Sequence, residues 1–432
     1  MTSNRAVALV RGRLIDGTGK GPADNMTVLV VDGRIAATGP DGSITLPEDC
    51  QVFDVARKTV MPSLIDLHVH LRLGDRDTVI PGTALGAGLD EPWPFIGIKS
   101  LTYAQRTLDM GFTTLRDVGD MGNVAVSVRN AINAGIVQGP RIFACGQWLT
   151  ATGGHVDLMP TWLQRTDEVT NVADGVDGVV KAVRRQCKMK TDWVKFYASG
   201  GVMDPEDRQE FSSEEMVALV NEAHSKGKYV AAHSIYAEGT LAALKAGVDS
   251  IEHGIHLDEE IVELMVKQGT YLVPTLGALP VLLEKGTTIG LPDWYTARMK
   301  PHIEAHRKSF RLALEAGVKI GFGTDAGFNA FLHGTNAVEL QFLVAYGMSP
   351  MQALMTATSG AASALHMADK LGTVEPGKLA DLLVVDGDPL EDINVLQLEP
   401  RIALVIKEGK VCKDRNGCLS IVRSASPQSA TA

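Results

Sequence analysis

The chain has 432 residues, enough for about three average domains, or fewer if one is a large barrel. Its 41 basic and 51 acidic residues leave a formal charge of −10, which argues against a surface built to neutralise nucleic-acid backbones or anionic membranes. The 45% hydrophobic and 21% charged residues are ordinary for a soluble globular chain, whereas 44 glycines exceed common usage and point to many tight turns or close backbone approaches.

Residues 1–60 read as strands broken by turns. Apolar runs over 6–13, 27–31 and 34–38 are punctuated by Asp16-Gly17 and Asp32-Gly33, a strong hairpin signal. The apolar run before Arg11 has only five residues, too short for a signal-peptide core, and nothing approaches a membrane span. The five scattered cysteines form no CxxC pair, so free thiols in the cytoplasm are expected.

From 61 to 365 the rhythm changes to short apolar runs alternating with amphipathic stretches, the pattern of βα units around a parallel sheet. Eight strands are predicted, over 63–70, 113–118, 141–144, 193–198, 229–233, 250–253, 271–275 and 320–324. Clear helices lie between some of them: one over 213–226, opened by Ser212 or Ser213 with Glu215 as capping partner, and one over 237–246 ended by Gly247. Eight such units predict an α/β fold, a (β/α)8 TIM barrel. A doubly wound sheet is the alternative, although no GxGxxG or Walker motif follows any strand. Residues 366–423 return to strand-and-turn character, with Asp386-Gly387 and Glu408-Gly409 as hairpin signals. Neither end can bury a sizeable core alone. The expectation is therefore one small discontinuous β domain from 1–60 and 366–423, a catalytic barrel over 61–365, and a disordered polar tail over 424–432.

Polar residues at the strand ends carry the chemistry. Strand one contains Asp66-Leu67-His68-Val69-His70, and residues i and i+2 of a strand face one side, so His68 and His70 point together. Strand four buries Lys195 among bulky apolar residues, which is costly unless the amine is neutralised, modified or paired. Strand five ends at His233, strand six at His253, and strand eight runs into Asp325. Taken singly, each is more often a satisfied core or capping residue. At the C-terminal face of a barrel the set converges, and nitrogen and oxygen donors of this kind suit zinc or a similar divalent ion.

These residues resemble the amidohydrolase superfamily along essentially the whole chain. The segments Ile65-Asp66-Leu67-His68-Val69-His70, Val194-Lys195-Phe196, Ser199-Gly200-Gly201, Ile251-Glu252-His253-Gly254 and Gly323-Thr324-Asp325 carry the likeness, more narrowly to its imidazolonepropionase-like branch with Xaa-Pro dipeptidases and related carboxypeptidases. The resemblance implies a β-sandwich for the small domain and two divalent metal ions, zinc foremost. His68, His70 and Asp325 would hold one ion and His233 and His253 the other, with Lys195, carboxylated by CO2, bridging them. A metal-bridging hydroxide would attack the amide, and Asp325 would accept its proton and return it to the leaving amine. Relatives commonly assemble, so a homo-oligomer is expected.

Substrate contacts are open to two readings each. Tyr236 matches a tyrosine that contacts the substrate carbonyl in related peptidases, or it packs over a helix start. His155, after Gly153-Gly154, is a second carbonyl contact or a residue that orders its loop. Arg208, in a charged loop after strand four, is a candidate partner for a substrate carboxylate. His333, after strand eight, is a candidate pocket residue. The apolar insertion over 85–95 walls a pocket or packs as a subunit contact. His224, His302, His306 and His366 read as helix surface or interface, and His256 as loop-exposed. The expected partner is a small-molecule amide, such as a dipeptide or N-acyl amino acid, with no nucleic acid and no membrane. A cyclic amide, urea or xenobiotic amide is the alternative substrate, and a non-catalytic scaffold the alternative role.

Overall fold

The computed structural model describes residues 6–74, 91–157, 162, 171–202, 204, 209–286, 288, 290–327, 331–415 and 420–422. The chain divides into two compact units, one of Met1–Ile65, Leu108–Thr113 and Ser349–Ala432, the other of Asp66–Thr107 and Thr114–Met348.

In the first unit both ends of the chain share one sheet. Val7–Leu14 pairs antiparallel with Ala23–Val31 and parallel with Thr59–Pro62, and Ala23–Val31 pairs with Arg34–Pro40. The ends are joined where Thr59–Pro62 meets Leu382–Val385, antiparallel, with Met61 opposite Leu383. Ile402–Lys407 and Lys410–Asp414 continue that edge. Strand alternation explains the packing: Leu9, Val28, Val30, Phe53, Val60, Val384 and Leu404 fill one core, while Ala8, Leu29 and Val52 pack on the other side. Two of the four predicted hairpin turns are tight. Asp32-Gly33 has φ of 50° and 78°, and Glu408-Gly409 has 50° and 73°, the left-handed pair that a two-residue turn demands. Asp16-Gly17 and Asp386-Gly387 instead open longer connections. Asp16 Oδ1 accepts from the Thr18 N–H and hydroxyl at 2.8 and 2.7 Å, and two 3-10 turns separate Val385 from the strand that follows.

The second unit is the TIM barrel. Its eight strands are Leu64–Val69, Phe112–Asp117, Arg141–Ala144, Trp193–Tyr197, Tyr229–Ser234, Ser250–His253, Tyr271–Val273 and Lys319–Ile320, hereafter barrel strands one to eight. Adjacent ladders from strand four to strand eight are parallel; Tyr197 lies opposite His233 and Ala231 opposite Ser250. The Asp192 N–H donates to Ala144 O at 2.7 Å, tying strand three to strand four. The ring closes where Leu67 N–H donates to Phe322 O at 2.9 Å and His70 N–H to Ala326 O at 2.8 Å.

Val194, Phe196, Val230, Ala232 and Ile251 face outward into the layer against the helices, so their alternate neighbours Lys195, Tyr197, Ala231, His233, Ser250 and Glu252 face inward. The helix Ser213–Ser225 begins with the expected capping box between Ser212 and Glu215, and Ala237–Ala246 stops at Gly247 with φ 91°. Among the described residues no helix is long and apolar enough to cross a membrane.

Candidate metal centre

At the C-terminal ends of these strands the barrel brings together the six residues of the predicted constellation. His68, His70, Lys195, His233, His253 and Asp325 are all at most 8% exposed. His68 Nε2 and His70 Nε2 lie 3.4 and 3.2 Å from Asp325 Oδ1. The ring of His253 is 4.9 Å from that of His68 and 4.6 Å from that of His233. Ligand atoms of His68, His253 and Asp325 all fall within 4.8 Å of one another.

Strand alternation alone would turn His253 and Asp325 away from the centre or leave them edge-on. Both have left-handed backbones, at φ 70° and 64°, as does Thr275 at 52° at the end of strand seven. Non-glycine residues held there store about 1–3 kcal/mol each, and such strain clusters at functional sites.

The far side of each imidazole is fixed. His68 Nδ1 meets Glu252 Oε2 at 2.7 Å, His70 Nδ1 donates to Gly119 O at 2.8 Å, and His253 Nδ1 meets Thr275 Oγ1 at 2.7 Å. In a neutral imidazole a donating Nδ1 leaves a lone pair on Nε2. Burial keeps His70 below its ordinary value and pushes His233 and His253 well below theirs, with neighbouring imidazoles adding to the effect for His233 and His253. Burial alone would raise Asp325, but its contacts to His68 and His70 hold the carboxyl well below the usual range. Two imidazole nitrogens and an ionised carboxylate oxygen therefore converge, a donor set that suits a cation. The Nε2 of His233, buried without a hydrogen-bond partner among the described residues, adds another unclaimed donor. The residues fit a divalent ion.

Lys195 is 1% exposed, and its Nζ lies 5.7 Å from the centre of the Tyr197 ring. Burial brings the amine down to about 8, although Glu252 and Cys145 pull the other way. Behind it runs a charged layer that sequence reasoning did not assign. Arg116 donates through Nη2 to Glu252 Oε1 at 2.7 Å and through Nε to Leu67 O at 2.6 Å. Burial would raise Glu252, but Arg116 and His68 keep it ionised. Asp66 accepts from the Thr324 hydroxyl and Asn336 Nδ2, both at 2.7 Å, and so joins strand one to strand eight.

A pocket of about 650 Å³, counting its open mouth, adjoins the centre. His155, His233, His253, Thr275, His306 and Asp325 line its polar end. His155 stacks on His233 with ring centres 5.2 Å apart. Its Nδ1 meets Asp204 Oδ2 at 2.7 Å and its N–H donates to Glu210 Oε1 at 2.7 Å. Burial works against its protonation, yet Asp204 and Glu210 leave His155 raised.

The other predicted contacts are placed differently. Tyr236 is not in the pocket lining; it stacks on His256 at 5.4 Å and meets the edge of His302 at 5.9 Å. His333 directs Nε2 at the carbonyls of His70 and Leu73, 3.2 and 2.9 Å away, and orders the loop after strand one. Arg208 lies outside the described residues, as do positions 75–90, which hold most of the apolar insertion. His306, read from sequence as helix surface or interface, is 3% exposed, lines the pocket and donates through Nε2 to His253 O at 3.0 Å. Its helical spacing gave no hint that this side of the helix faces the barrel mouth.

The amidohydrolase family profile matches residues 59–412. The chain belongs to the amidohydrolase family. Ochratoxinase of Aspergillus niger is 32% identical over 431 residues, covering 95% of this chain and 87% of that protein. Imidazolonepropionase of Salinispora tropica is 25% identical, covering 87% and 90%. A solved Xaa-Pro dipeptidase with methionine bound in its active site superposes with a TM-score of 0.83 at 36% identity, covering 94% of this chain and 99% of that one. This amidohydrolase is accordingly a metal-dependent enzyme that hydrolyses amides.

Proposed function

We propose that the enzyme cleaves the amide bond of a dipeptide or N-acyl amino acid, using two zinc ions bridged by a carboxylated Lys195. The observation that carries this reading is the convergence of His68 Nε2, His70 Nε2 and Asp325 Oδ1, with Asp325 Oδ1 3.4 and 3.2 Å from the two nitrogens, beside a pocket that Asp325 also lines. His68, His70 and Asp325 would hold one ion, and His233 and His253 the other. Two divalent ions would lower the pKa of a water towards 7 and polarise the scissile carbonyl.

The chain's own groups do the rest. Only a neutral amine adds to carbon dioxide, and burial brings Lys195 to about 8, so part of it is neutral near pH 7. Addition forms the N–C bond and releases one proton, and the resulting carbamate anion suits a site of cations. Asp325 turns Oδ1 towards His68 and His70, which leaves Oδ2 to take a proton from the attacking water and pass it to the leaving nitrogen. His155, oriented by Asp204, offers Nε2 to a substrate oxygen. Tyr236, stacked away from the pocket, is left as a packing residue in this reading. The names of the relatives support amide and dipeptide substrates.

The test is a hydrolysis panel of N-acyl amino acids and dipeptides, with metal content measured on the same sample. Cleavage with about two metal equivalents supports the reading. Activity confined to cyclic amides or ureas, or none on a fully loaded sample, overturns the substrate class.

A further inference from the structure

Two imidazoles of the metal centre are held at Nδ1 by groups that are themselves held from behind. His70 Nδ1 donates to Gly119 O at 2.8 Å, and His253 Nδ1 meets Thr275 Oγ1 at 2.7 Å. Both partners lie just past the end of a barrel strand, and both have positive φ, 125° at Gly119 and 52° at Thr275. A Cβ on Gly119 would stand 2.0 Å from Trp148 Cδ1, so only glycine fits there. A β-branched residue such as Thr275 takes that conformation only where its surroundings impose it.

A buried acid stands behind each of these turns. Asp117, 0% exposed at the end of barrel strand two, accepts from the Leu71 N–H through Oδ2 at 2.8 Å and from the Gly119 N–H through Oδ1 at 3.1 Å. Leu71 follows His70 directly, so hydrogen bonds close a ring through His70, Leu71, Asp117 and Gly119. Glu339, 0% exposed in the first turn of the helix Val338–Ala345, accepts from the Leu276 and Gly277 N–H groups through Oε1 and Oε2, both at 2.7 Å. Those two residues follow Thr275, and the clamp fixes the turn from which its hydroxyl reaches His253.

Neither acid is paired with a basic side chain among the described residues, and burial raises both, with the N–H donors pulling them back. A buried acid without a cation is costly. What it provides here is two oxygens for two N–H groups. An amide side chain offers one oxygen and would set its own N–H against the second donor.

We infer that Asp117 and Glu339 are positioning residues for the metal centre, Asp117 aiming His70 through Gly119 and Glu339 aiming His253 through Thr275. This rests on the proposed pair of ions, with His70 in the ligand set of one and His253 in that of the other. Each acid therefore governs one ion and leaves the other unchanged, which separates aim from general support of the fold.

The experiment titrates zinc into the chelator-treated full chain against a competing chromophoric chelator and reads a Kd for each ion. In a His70→Ala background, where the ion of His233 and His253 remains, Glu339→Gln should weaken zinc about tenfold and Asp117→Asn should leave the Kd unchanged. In a His253→Ala background the two effects should exchange. If a histidine variant binds no zinc, each substitution in the otherwise wild-type chain should raise one of the two Kd values and leave the other. Melting of the stripped variants is followed in parallel, since lost buried hydrogen bonds lower Tm for both substitutions without favouring either ion. If the amide variants fail to fold, Asp117→Glu and Glu339→Asp, which keep the acid but move its oxygens by one carbon, are read in the same way. Equal weakening of both ions by both substitutions, or no weakening at all, overturns the inference and leaves the two-ion reading intact. A wild-type chain that takes one equivalent of zinc overturns the two-ion reading. The aiming role then stands if each substitution alone weakens that single ion about tenfold, and falls otherwise.

Discussion

Glu252 shows how one residue sets the geometry of another. It is fully buried, accepts from His68 Nδ1 at 2.7 Å, and accepts from Arg116 Nη2 at 2.7 Å and the Ser250 hydroxyl at 2.5 Å. In Glu252→Gln the amide oxygen still accepts from one partner, but Arg116 is left as an uncompensated buried cation. Removing one member of such a pair typically costs about 3–5 kcal/mol, and loss of a carboxylate behind a ligating histidine costs about 10–100-fold in metal affinity or activity. Glu252→Gln should therefore melt lower in calorimetry and bind zinc at least tenfold more weakly in a competition titration. Wild-type values in both would mean that His68 is oriented without it. In the sequence Glu252 is overshadowed by its neighbour His253. Alternation allows only one of two adjacent strand residues to face inward, and the left-handed backbone of His253 lets both do so.

At the scale of elements, the strand ends were legible and the loops beyond them were not. His68 and His70 followed from a two-residue spacing, and Lys195 from the cost of burying an amine, because both arguments need only the strand itself. Tyr236 and His333 sit past the strand ends, where spacing no longer determines direction: one caps the helix Ala237–Ala246 and the other folds back onto the carbonyl of His70. The small domain repeats the lesson, since an acidic residue before glycine marked four turns but only Asp32-Gly33 and Glu408-Gly409 had strands waiting on both sides to close a hairpin at once. His155 was legible only as a histidine after two glycines. Its placement depends on Gly201 of the loop after strand four, where an added Cβ would stand 2.1 Å from His155 Cε1. That imidazole also holds the loop through Asp204, so displacement would break the contact that aims Nε2 at the pocket. Gly201→Ala should lower kcat/KM at least tenfold while shifting Tm by no more than a few degrees, because the loop contributes little to the barrel core. A variant with wild-type kinetics would show that His155 makes no contact with substrate.

Across the whole barrel, the six residues come from strands one, four, five, six and eight and the turns that follow them, and they span residues 68 to 325 of the sequence. An ion held by such a set binds the folded chain and not the unfolded one. A ligand at a thousand times its Kd adds about 4 kcal/mol of stability, and for a chain of 432 residues each kcal/mol is worth about 1 °C in Tm. Chelator-treated protein should therefore melt about 4 °C below the loaded enzyme in calorimetry, and zinc or manganese should restore the difference. Lys195→Ala, which removes the proposed bridge, should restore less than half. The gap should also depend on pH with a definite sign. His233 and His253 are held well below their ordinary value of 6.5, so the folded state resists taking protons that the unfolded chain accepts. Their contribution to stability is full above pH 6.5 and is lost as pH falls through that value. Protons compete with the ion for the same nitrogens, so the gap between loaded and stripped protein should narrow steadily below about pH 6. Coincident melts at pH 8 would show that these residues hold no ion, and a gap unchanged at pH 5 would place the ion on carboxylates rather than on the histidines.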